Sequence, residues 1–135
     1  MKLIEVKDKA GREAFYDVPK HLYKHDENWV CPLDAEIESI FNPAENKLFR
    51  DGEAIRWVLQ DDTGKGIGRI AAFYNKIKST MYEQPTGGVG FFECIHDREA
   101  AYMLFDAGRD WLKARGLEAM DGPITFGENL TYWGL

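Results

Sequence analysis

At 135 residues, with 44% apolar and 30% charged, the chain has the size and balance of one soluble globular domain. Seventeen Lys+Arg against 23 Asp+Glu leave a formal charge of −6. That balance argues against a nucleic-acid grip, which needs a basic surface to displace counterions from phosphates, and against an anionic membrane surface as partner. The longest unbroken apolar run, Ile70-Ala71-Ala72-Phe73-Tyr74, is far short of a spanning helix, and the start of the chain is charged too early for a signal peptide. A cytoplasmic protein is the default expectation.

Taken in chain order, Leu3–Val6 reads as a short strand, and Asp8 is placed to cap a helix through about Tyr16. Pro19 is expected to break that helix, with a second short one carrying Leu22 inward. Leu33, Ile37, Ile40 and Phe41 make a helical stripe that Asn42-Pro43 ends. Residues 54–60 alternate, with Ile55, Trp57 and Leu59 on one face and Arg56 and Gln60 on the other. The turn Asp61–Gly66 leads to a return strand over Ile67–Tyr74, an antiparallel hairpin, and residues 76–88 read as a polar loop. Cys31 and Cys94, each among apolar neighbours, are expected to be buried free thiols.

The clearest signal lies further on. Val89–Ile95 is a strand followed at once by a helix from about Asp97 to Arg115, with Ala101, Leu104, Phe105, Gly108, Trp111 and Leu112 at helical spacing. Asp97 is the expected N-cap and Gly116 the C-terminal stop. A further strand over about Glu118–Ile124 completes a strand–helix–strand unit whose short links imply a right-handed parallel crossover. The class is therefore α+β with a mixed, mostly antiparallel sheet, neither a doubly wound nucleotide fold nor a barrel.

This order resembles the first two-thirds of the acyl-CoA N-acyltransferase (GNAT) fold. Gly68-Arg69-Ile70-Ala71-Ala72, Gly90-Phe91-Phe92-Glu93-Cys94, Trp111-Leu112-Lys113-Ala114-Arg115-Gly116 and Gly122-Pro123-Ile124 look like a bacterial branch of that superfamily. The resemblance covers about residues 3–135 and implies that a further helix and strands follow. The aromatic-rich end, Leu130–Leu135, then reads as a truncation of a single GNAT-like domain, or else as a short chain whose last residues dock on the core.

By that resemblance acyl-CoA, acetyl-CoA or another, would be the co-substrate and an amine the acceptor. Its pantetheine arm would lie along Glu93, Cys94 and Ile95, and its pyrophosphate on the turn from His96 to Ala101, with His96, Arg98, Glu99 and Ala100 as contacts. Unpaired amides at a helix N-terminus suit an anion. This turn, however, has no glycine, and Asp97 and Glu99 set negative charge where the anion would sit. Glu93 is the general-base candidate for deprotonating the amine; a polar residue tied to backbone is the plainer reading. Tyr132 is a poor match for a leaving-group acid. His21 and His25, at i and i+4, lack a third ligand at recognisable spacing, so no metal site is expected. Two readings stay open: an N-acyltransferase, or a non-catalytic module or fragment that keeps the fold for binding.

Overall fold

The computed structural model describes residues 1–81, 83–124 and 126. Five strands, β1 (Lys2–Glu5), β2 (Gly52–Gln60), β3 (Gly66–Asn75), β4 (Thr86–Cys94) and β5 (Ala119–Asp121), form one sheet in sequence order. Neighbours are antiparallel except β4 and β5, which run parallel with Thr86 opposite Ala119 and Gly88 opposite Asp121. The helices are α1 (Lys9–Leu22), α2 (Asp34–Ile40), the single turn α3 (Lys76–Ser79) and α4 (Arg98–Ala114), with a 3-10 turn at Lys47–Asp51. The expected α+β class, mixed sheet and parallel crossover through α4 are all present.

Helices cover both faces of the sheet. On one side Leu104 and Leu112 of α4 pack on Trp57, Leu59, Ile70 and Val89; on the other Phe15 and Val18 of α1 and Ile37 of α2 pack on Val58, Ala71 and Phe73. Burial on both faces explains why β3 is an apolar run rather than an alternating one. The same cause overturns the expected polar face of β2. Arg56 is buried, because α2 closes over it and Glu38 accepts both of its terminal nitrogens, at 2.9 and 3.1 Å.

Helix α4 has the ends its residues predict. The Asp97 carboxylate accepts from the Ala100 amide, and Gly116, at φ +84°, lets the Leu117 and Gly116 amides close back on the Leu112 and Lys113 carbonyls. Helix α1 departs from expectation. Pro19 does not break it, and no second short helix follows; the helix runs on to Leu22. Pro19 stands in the last turn and lacks the N–H that would serve the Phe15 carbonyl, but the Arg69 guanidinium supplies that donor at 2.9 Å.

Further departures have simple causes. Leu33 is the N-cap of α2 rather than part of its buried stripe, and is exposed. Residues 76–88 hold α3, capped by Asn75, and the first residues of β4 rather than a continuous loop. Cys31, in the α1–α2 loop, is exposed, while Cys94 is half-buried under α4. No helix among the described residues is long and apolar enough to cross a membrane.

Candidate active site

Strand β4 is the organising element. Its pairing with β5 covers Thr86–Gly88. Past the cis Gly122–Pro123 bond, the Ile124 amide still reaches the Val89 carbonyl at 3.0 Å. The glycines of β4 permit this approach: a Cβ on Gly90 would fall 2.0 Å from the Ile124 carbonyl oxygen, and one on Gly88 2.4 Å from the Ile124 side chain. β4 itself runs on past this contact to Cys94, just before the head of α4.

On its other edge β4 carries a bulge. Arg69 faces Glu93 and Ala71 faces Gly90, so Phe91 and Phe92 together oppose the single residue Ile70. Phe91 adopts φ +55°, a left-handed conformation that costs a bulky residue about 1–3 kcal/mol. Its ring packs on Phe15 and Phe41, at centroid distances of 6.0 and 5.3 Å. The bulge keeps Phe91 and Glu93 on the α1 side and sends Phe92 and Cys94 toward α4. Ile95, just past the strand end, also packs on the α4 side, so it does not share a face with Glu93 as simple alternation suggests.

Glu93 is half-buried, and its Oε2 accepts the hydroxyl of Tyr23, the residue that caps the C-terminus of α1. The hydrogen bond to Glu93, burial and the carboxylate's charge push the Tyr23 phenol up to about 12, so it stays a donor at neutral pH. Tyr23 in turn packs on Trp29, with centroids 5.4 Å apart. From Trp29 the α1–α2 loop continues into exposed Val30, Cys31, Pro32 and Leu33, Val30 at 83% and Leu33 at 66% exposure. Sequence reasoning missed Tyr23. Only the continuation of α1 through Pro19 brings it to β4, and nothing local in the chain announces that.

The other predicted residues gather at the N-terminus of α4. His96, Arg98 and Glu99 are exposed there; Ala100 is buried, and its amide is already held by Asp97 at 3.1 Å. Cys94 is no thiolate, since burial and then the charge of Asp97 push its thiol up. Tyr132 lies outside the described residues. His25 lies beyond the end of α1, so it does not share a helix face with His21, and no metal-holding cluster is found among the described residues. A cleft of about 400 Å³ opens elsewhere, at the start of β2, walled by Glu5, Phe41, Glu53, Arg56, Trp111 and Arg115. It runs along β2 from Glu53, which faces Tyr74, to Arg56, which faces Ala71, and its Phe41 wall packs on Phe91, but Glu93 and Tyr23 do not line it. Its size does not make it the site of the β4 chemistry.

Several solved acetyltransferases share this architecture. Glucosamine-6-phosphate N-acetyltransferase from Arabidopsis thaliana superposes with a TM-score of 0.58 at 15% identity, over 91% of this chain and 82% of that one. A putative acetyl transferase from Pyrococcus furiosus gives 0.57 at 12%, over 91% and 81%. A GNAT-family acetyltransferase from Staphylococcus aureus Mu50 gives 0.57 at 12%, over 88% and 69%. The fold is the GNAT fold. In sequence the GNAT-fold chain is 30% identical to Protein YghO of Escherichia coli K12 over 125 residues, 90% of this chain and 31% of that protein. It is 31% identical over 143 residues to the bacterial ceramide synthase of Caulobacter vibrioides, 99% of this chain and 36% of that protein. The chain thus spans about a third of the length of these relatives. No protein-family model matches it.

Proposed function

We propose that this chain carries an acyl-CoA-dependent N-acyltransferase site at the C-terminal end of β4, where the strand leads into α4. The observation that carries the reading is a carboxylate, Glu93, held by Tyr23 near the C-terminal end of β4, the strand that pairs parallel with β5 and leads into α4. The thioester arm would lie along the β4 edge at Glu93, Cys94 and Ile95, and the pyrophosphate near His96, Arg98, Glu99 and Ala100. A neutral amine attacks the thioester carbonyl, the C–N bond forms, the C–S bond breaks and CoA leaves as thiolate. Glu93, or a water it holds, takes the amine proton, and backbone amides at the strand edge stabilise the oxyanion.

The acceptor we propose is an amine with a long apolar chain. A ceramide is the amide of such an amine, and the name of the Caulobacter relative fits that product. The exposed segment Val30–Leu33, joined through Trp29 and Tyr23 to Glu93, supplies apolar surface beside the base.

The test is thiol release from acetyl-CoA and palmitoyl-CoA with butylamine, octylamine and dodecylamine as acceptors. Turnover is expected to rise with chain length, by up to about fourfold in kcat/KM per methylene buried. Glu93→Gln is expected to lower kcat by about 10²–10⁴. No thiol release with any amine, or equal rates for wild type and Glu93→Gln, would refute the reading. One observation favours a second reading, a non-catalytic module: Asp97 already occupies the Ala100 amide and, with Glu99, makes the head of α4 acidic. Absence of any saturable amide shift at millimolar acetyl-CoA would decide for it.

A further inference from the structure

Arg69 is buried, 4% exposed, in the middle of β3, and its guanidinium donates to two backbone carbonyls from different elements. Nη1 donates to the Phe15 carbonyl at 2.9 Å, the group that Pro19 leaves without a helical donor. Nε donates at 3.0 Å to the carbonyl of Phe91, the left-handed residue of the β4 bulge. The cation also lies over the Phe15 ring, 4.6 Å from its centroid. Phe15 lies two turns of α1 before Tyr23, and Phe91 two residues before Glu93. The Tyr23 amide hangs on the Pro19 carbonyl at 2.9 Å, four residues on from Phe15, and Glu93 follows the bulge and faces Arg69 across the ladder.

We propose that Arg69 is a positioning residue for Glu93: by tying the proline gap of α1 to the bulge of β4, it holds the Tyr23 hydroxyl on the Glu93 carboxylate. The role rests on the acyl-transfer reading for its effect on rate, but not for its effect on the pair. A lysine cannot replace it, because a single ammonium on a flexible stem lacks the planar fork that reaches two divergent acceptors. Arg69 touches neither substrate nor reacting atom in this scheme, so its influence passes through Glu93.

The test is Arg69→Lys in the full chain, with the Tyr23 phenol followed by ¹³Cζ chemical shift through an alkaline titration. In the wild type it ionises at about 12; in Arg69→Lys it is expected to fall back toward the ordinary tyrosine value of 10.0 as the Glu93 contact is lost. With octylamine and acetyl-CoA, kcat is expected to drop roughly tenfold to hundredfold, the scale of a small misplacement, with KM for acetyl-CoA unchanged. Arg69→Lys added to Glu93→Gln should cost nothing more, since the two act in series.

A Tyr23 titration still at about 12 in Arg69→Lys would overturn the proposal, and so would rate losses that multiply in the double variant. Should the wild type release no thiol with any amine, the acyl-transfer reading fails, while the Tyr23 titration still decides the positioning role. If Arg69→Lys does not fold, Pro19→Ala in the same chain returns an N–H to the Phe15 carbonyl and leaves only the β4 anchor missing. The same titration is then read in that double variant.

Discussion

Gly90→Ala tests the geometry on which the site depends. A Cβ at Gly90 would lie 2.0 Å from the Ile124 carbonyl oxygen, 3.2 Å from its carbon and 3.4 Å from the tip of the Phe73 ring. The oxygen is backbone and cannot swing aside as a side chain would, so the Pro123–Ile124 segment must retreat by about 1 Å or more to reach ordinary contact. That retreat breaks the 3.0 Å bond from the Ile124 amide to the Val89 carbonyl. Overpacking costs about 1–3 kcal/mol and the lost hydrogen bond about 1 kcal/mol more, so the expected loss is about 2–4 kcal/mol.

Urea denaturation measures it directly; at about 4 °C per kcal/mol for a chain of this size, the melting temperature should fall by roughly 8–16 °C. Gly116→Ala is the control, with φ +84° but nothing within 4 Å of its Cβ. It pays only for the left-handed backbone, about 1–2 kcal/mol. A Gly90→Ala chain no less stable than Gly116→Ala would mean that β4 and the Ile124 segment are not in contact, and the proposed site would lose the parallel frame beside β4.

Glu38→Gln should remove about 2–3 kcal/mol, because it strips the partner from buried Arg56, with the part-exposure of Glu38 keeping the loss below that of a fully buried pair. Burial alone would raise the Glu38 carboxyl, but hydrogen bonds from Arg56 and Tyr16 outweigh it and hold the group below its ordinary 4.5. Its contribution is therefore full above that value and lost as pH falls through the lower folded one. The wild-type urea midpoint should decline more steeply than that of Glu38→Gln below about pH 4.5, and parallel declines would refute the assignment. In phenol titrations Tyr16 and Tyr23 should both ionise at about 12, with Glu38→Gln lowering only the first and Glu93→Gln only the second; any other pairing would contradict the hydrogen bonds. Cys31 should react with a thiol reagent in the native state well before Cys94, which burial and Asp97 keep protonated; the reverse order would place the α1–α2 loop wrongly.

Local signals in the amino-acid order were enough for the hairpin, for α4 with its Asp97 cap and Gly116 stop, and for the parallel crossover, because each is written in neighbouring residues through periodicity, capping and short links. Glu93 stood out only as a candidate, a carboxylate on a strand otherwise built for packing, with its role implied by the resemblance. What they could not decide depended on groups far apart in the chain. Pro19 reads as a helix breaker until Arg69, fifty residues later, provides the missing donor. Arg56 reads as a solvent-facing residue until α2 closes over it with Glu38, and Cys31 as buried until its loop is seen to lie on the surface. Tyr23 has no signature of its own and meets Glu93 only because α1 survives its proline and delivers the hydroxyl to β4. Propensity acts over a turn or two of chain; a buried donor brought in by tertiary packing can outweigh it, and here that donor also assembles the pair on which the proposed chemistry rests.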